Sequence, residues 1–198
     1  MPSSSTRRPT CLAAVAVLIT VAAAPAWGEP RTADGGRGGD GGYTGLAGLV
    51  LTPTAVGRIQ VGGSAEAAER MLRRTLGTPD RAVDGKGCEL DPAAGPRRTL
   101  AWGALTVTLA PAGPGRLVGW TVGAGRIPKG VTLPHDVTTA TTVGEARRLI
   151  PGATARWDDV FQMYWITTAA EPAMVWAGDH EDGSGRIAYI TNAFEPCE

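Results

Sequence analysis

The chain repeats itself. A short extended segment, a helix and an antiparallel hairpin can be read twice between Ile59 and Thr191. The first copy opens with Ile59-Gln60-Val61-Gly62-Gly63-Ser64 and continues as AEAAERMLRRTLG, in which Ala68, Met71, Leu72 and Leu76 recur at helical spacing. Ser64 is placed to cap this helix. Glu66 and Glu69 stand near its positive end, Arg70, Arg73 and Arg74 near its negative end, and Gly77 and Pro79 stop it. The second copy follows 78 residues later. Val137-Thr138-Thr139 leads to Thr142-Val143-Gly144-Glu145, a capping box, and Ala146, Leu149 and Ile150 then match Ala68, Met71 and Leu72. Pro151 lacks the amide hydrogen that another helical turn needs.

Each helix leads to strands. Leu105 to Leu109 alternates apolar and polar residues, turns through Pro111 to Gly115 and returns as Arg116 to Val122. Ala173 to Ala177 turns through Asp179 to Gly185 and returns as Arg186 to Thr191, and the Gly-Arg-apolar start of the return strand recurs at an offset of 70. A preceding strand is readable in each copy, near Thr99–Trp102 and Val160–Thr167. The pattern predicts an α+β fold of two tandem units, each a helix packed on a small antiparallel β-sheet. The first spans residues 49–130 and the second 131–198, joined through GRIPKGVTLP.

The N-terminus predicts export. Arg7 and Arg8 precede a 14-residue apolar run from Cys11 to Ala24, and small residues around Ala26 offer a cleavage site, so residues 1–28 read as a signal peptide. Fourteen helical residues rise about 21 Å, short of the ~30 Å hydrocarbon core, so no retained membrane span is expected. No cysteine follows the apolar run to carry a lipid. Residues 29–48 are dense in glycine and read as a flexible leader. Arginine supplies nearly all the positive charge, alongside heavy alanine and glycine use, as in a high-GC bacterium. Without the signal peptide, 17 basic residues face 19 acidic ones, a balance of −2. No basic stripe exists to neutralise phosphates, which argues against nucleic-acid binding.

After removal of Cys11, only Cys88 and Cys197 remain. In an oxidising compartment they are expected to form one Cys88–Cys197 bridge, with two free thiols as the alternative; a bridge closing about 100 residues stabilises by up to ~4.7 kcal/mol in the chain-entropy account. Two cysteines do not make a structural zinc site, and His135 and His180 have no ligand spacing with them, so neither metal nor cofactor is expected.

The segments Gly63-Ser64 through Leu72, Gly115-Arg116-Leu117 through Val122, Thr142 through Ile150 and Gly185-Arg186-Ile187 through Ile190 resemble, as a pattern over residues 57–198, the tandem repeat of the β-lactamase-inhibitory protein family. That resemblance implies helices laid against antiparallel sheets that form a concave surface, and inhibition of an extracellular enzyme. The chain departs from the family in having one cysteine per half rather than a disulfide within each repeat. No contact residue of the family matches position by position.

Catalytic groups are sparse. Beyond the signal peptide the serines are Ser64, read as a cap, and Ser184, read as part of a turn; neither has the setting of a nucleophile elbow. Asp179-His180-Glu181-Asp182 falls on a hairpin turn and lacks the EF-hand spacing. His135-Asp136 and Asp158-Asp159 read as loop residues, because neighbours on a strand point to opposite faces. Six tryptophans against two phenylalanines direct attention to a binding surface. If Leu105, Val107 and Leu109 face the helix, an offset of 70 turns Met174 and Trp176 outward. If Val118, Trp120 and Val122 face inward, it turns Ile187 and Tyr189 outward, with Tyr164 or Trp165 beside them. The sequence therefore predicts a secreted binding module that meets an extracellular protein through Met174, Trp176, Ile187, Tyr189 and Tyr164. The alternatives are a small hydrolase of cell-envelope material, using Asp158, Asp159 or the 179–182 cluster, and a structural envelope protein.

Overall fold

Two helices start where the sequence places their caps. In α1 (Ala65–Leu76) the Ser64 hydroxyl accepts from the Ala67 amide at 3.2 Å, and Gly77, at φ 86°, closes the helix with its N–H on the Arg73 carbonyl. Ala65, Ala68 and Leu72 are buried, while Arg70 and Arg73 pair with Glu66 and Glu69 at 2.6 and 2.7 Å on the solvent side. In α2 (Val143–Leu149) the capping box is complete. The Glu145 amide donates to Thr142 Oγ1 at 3.2 Å, and the Thr142 amide donates to Glu145 Oε2 at 2.9 Å. The computed structural model describes residues 48–86, 95–111, 113–180 and 184–193. The expected signal peptide and most of the leader, both members of the Cys88/Cys197 pair, and Glu181 and Asp182 lie outside the described residues.

Strand dominates, at 43% of the described residues against 16% for helix. One sheet has four strands in the order β3 (Ile59–Gln60), β2 (Ala55–Val56), β1 (Leu49–Thr52) and β8 (Val131–Thr132). The other has eight. Its first half is β4 (Arg81–Gly85), β5 (Arg97–Trp102), β6 (Leu105–Ala110) and β7 (Arg116–Val122); the second half continues in reverse chain order as β12 (Ile187–Thr191), β11 (Val175–Gly178), β10 (Met163–Thr168) and β9 (Ala153–Asp158). The expected α+β fold of two separate helix-on-sheet units is therefore corrected. The fold is mostly β, because β7 pairs with β12, Val122 opposite Ile190 and Thr121 opposite Thr191, and so merges the hairpins into one sheet.

The physical reasons lie in strands whose sequences do not alternate legibly. β4 reads RAVDG and is exposed throughout, so no apolar period marks it. β9 offers only Ala153, Ala155 and Trp157 to the core side. Residues 49–60, expected at the start of a helical unit, make three strands that bury Leu49, Leu51, Ala55 and Val56.

Within the sheet the same joint is made twice. Ala65 N–H donates to Gly115 O and Leu117 N–H to Gly63 O; Val143 N–H donates to Gly185 O and Ile187 N–H to Thr141 O. Each helix start is thus pinned to its own return strand. One core cluster spans both halves, from Leu72, Leu105 and Trp120 to Ala146, Ile166, Trp176 and Ile190. At the seam, Asn192 Oδ1 accepts from the Trp120 amide at 2.8 Å and Nδ2 donates to Pro53 O at 3.0 Å, while Trp120 Nε1 donates to Thr52 O at 2.9 Å. Gly119 permits this approach, since a Cβ there would collide with Ala193 and the Asn192 amide. Among the described residues no helix is long and apolar enough to cross a membrane.

Candidate binding surface

The register assigns every side chain of the large sheet to a face. Leu105, Val107 and Leu109 on β6 point to the core, and their partners on β7 are Val122, Trp120 and Leu117. Thr108 opposes Gly119 while Leu109 opposes Leu117, so Val118 is an extra, bulged residue. In the second half Trp176 opposes Ile190 and Ile166, and Gly178 opposes Ile187, with Ala188 as the extra residue.

These pairings correct the predicted surface. Met174 and Trp176 are fully buried and Ile187 is 1% exposed. Tyr164, partnered with Gly178, also packs on the core side. Only Tyr189, opposite Ala177, lies on the outer face, where it is half-buried.

The error has two causes. Seven residues separate Leu109 from Leu117 but eight separate Gly178 from Ile187, so β11 corresponds to β6 at an offset of 69 while β12 corresponds to β7 at 70. A one-residue slip moves every side chain to the opposite face. The bulge adds the second error. It lets Leu117 and Trp120 both face inward, so Ile187, the counterpart of Leu117, is inward as well.

The opposite face carries different chemistry in its two halves. On β5, β6 and β7 it shows Thr99, Thr106, Thr108 and Thr121, and the Thr121 hydroxyl meets that of Thr191 at 2.9 Å across the seam. On β12, β11, β10 and β9 one row runs Tyr189, Ala177, Trp165 and Arg156. Burial pushes the Tyr189 phenol above its ordinary pKa. Trp165 carries the row into the β9–β10 turn, where the Phe161 ring lies 5.4 Å from its own. That turn is closed by side-chain hydrogen bonds: Asp158 Oδ1 accepts from the amides of Val160 and Phe161 at 2.9 and 3.1 Å, and Gln162 adopts φ 56°. It presents Val160 at 84% and Phe161 at 44% exposure.

The remaining candidates take structural places. His135, in the left-handed region with Asp136, brings Nε2 to 2.9 Å from Glu171 Oε2 and sets its ring 5.8 Å from that of Trp176. Glu171 had no sequence signal, because it stands 36 residues from His135 with α2 between them. Asp158 serves its turn, and Asp159, Asp179 and His180 are exposed. No group of three or more His, Cys, Asp or Glu converges among the described residues.

The chain matches no protein-family model, no curated protein and no solved structure. The candidate site is the outer surface itself. It is a half-buried aromatic row continuing into a fixed apolar turn, and it offers contact area from side chains with few rotamers to freeze.

Proposed function

We propose that the protein is an exported binding module that recognises an extracellular protein, in the manner of an inhibitor of a secreted enzyme, through the outer face of the eight-stranded sheet. One observation carries the reading. The core cluster lies entirely on the other face, yet Tyr189, Trp165, Phe161 and Val160 form an apolar strip that the core does not use. Contiguous apolar surface of this kind, flanked by threonine and arginine, is what a protein interface needs. The resemblance to the β-lactamase-inhibitory protein family points the same way. The hydrolase alternative loses support because Asp158 is committed to turn amides and Asp159 is exposed beside it.

The test is affinity capture from culture supernatant with the exported chain and with a Trp165→Ala/Tyr189→Ala double variant. The wild type is expected to retain a specific protein that the double variant releases, although the double variant keeps the wild-type circular dichroism spectrum at the temperature of capture. Equal capture by both forms, or a loss that merely tracks unfolding, would refute the reading.

A further inference from the structure

The large sheet has two open edges, β4 and β9, and among the described residues neither is paired on its outer side. An edge of unpaired N–H and C=O groups recruits another strand unless the sequence blunts it. β9 reads Ala153-Thr-Ala-Arg-Trp-Asp158, with no proline, and its six residues pair with β10 without a bulge. Arg156 and Asp158 both lie on its outer face, with Nη2 and Oδ2 3.7 Å apart and the Arg156 side chain 85% exposed.

We infer that β9 is a self-complementary edge through which two copies of this chain pair antiparallel about a two-fold axis at Trp157. In an antiparallel pair, facing residues lie at equal distances on either side of the axis. Placing Trp157 on the axis sets Arg156 of each copy opposite Asp158 of the other, two cross-strand opposite-charge pairs, and sets the two Trp157 rings beside one another. Moving the axis to Arg156 would oppose two arginines. The other edge lacks this property: an axis at Val83 puts Arg81 against Gly85 and Ala82 against Asp84, and an axis at Ala82 opposes Asp80 and Asp84. The β9 contact pairs Arg156–Asp158 of each copy, with Ala155 beyond them facing Asp159 of the second copy where the turn begins; it is isologous and closes at two copies. The axis stands normal to the sheet, so both outer faces remain on the same side, and the dimer presents two binding surfaces together.

This inference rests on the edge alone and stands or falls separately from the proposed binding function. Sedimentation velocity of the exported chain across a micromolar concentration series tests it. A monomer–dimer equilibrium is expected for the wild type, and Arg156→Asp, which places four carboxylates at the contact, should weaken it at least tenfold while the circular dichroism stays unchanged. Val83→Asp on the opposite edge should leave the dimer intact. A wild type that stays monomeric, an Arg156→Asp protein that dimerises equally well, or a dimer lost on Val83→Asp would each overturn the assignment.

Discussion

Trp176 shows how much depends on one side chain. It is fully buried, it faces Ile190 and Ile166 across neighbouring strands, and its Nε1 has no hydrogen-bond partner among the described residues. Truncating a buried tryptophan removes its transfer free energy and leaves a cavity, so Trp176→Ala should cost about 3–5 kcal/mol in urea unfolding. Trp176→Phe should cost less, because it keeps most of the buried ring and removes a donor that no described residue satisfies. Trp165→Ala, on the other face, should cost at most about half as much as Trp176→Ala. Similar losses for Trp165→Ala and Trp176→Ala would mean that the faces are wrongly assigned. The tryptophan-rich composition was informative about where to look, but facing is a parity, and parity does not survive a turn one residue longer. Nearby, Val143 and Gly178 occupy positions that correspond to Ala65 and Leu109 in the first half, large and small exchanged. A Cβ on Gly178 would collide with Val143, so this pair also could not be inferred from its counterpart.

The elements legible in the sequence were those whose signals are local. Both helix starts are fixed by side chains within three residues of the cap, and β6 and β7 alternate plainly. β4, β9 and the small sheet were not legible because their strands are short, polar or alanine-based and gain order only from their neighbours. The α2 cap makes a prediction at this scale. The Thr142 amide, and then the Thr142 hydroxyl, hold the Glu145 carboxyl below its ordinary pKa. A depressed folded pKa gives stability that is complete above the unfolded value of about 4.3 and is lost as pH falls through the folded value. Glu145→Gln keeps an acceptor but cannot titrate. The wild type should therefore lose more melting temperature than Glu145→Gln between pH 6 and pH 3. Equal losses in the two proteins would show that the carboxylate does not support the cap.

At the scale of the whole molecule, the question is whether the two halves fold as one. Among the described residues they share two strand-paired positions at the β7–β12 seam, yet the core cluster crosses it and Asn192 ties β7, β12 and the segment after β1 together. Asn192 is 9% exposed, so Asn192→Ala leaves the Trp120 amide and the Pro53 carbonyl without these partners in a nearly dry place. That should cost about 1–3 kcal/mol. Because each half needs the other's apolar side chains to complete its core, the loss should appear as a lower midpoint of a single cooperative transition, coincident by tryptophan fluorescence and far-ultraviolet circular dichroism. The indoles sit on both sides of the seam, Trp102 and Trp120 in one half and Trp157, Trp165 and Trp176 in the other, so fluorescence reports on both. If Asn192→Ala instead split the melt into two steps, each half would be stable alone, and the continuous sheet would be an association of finished parts rather than a single folding unit.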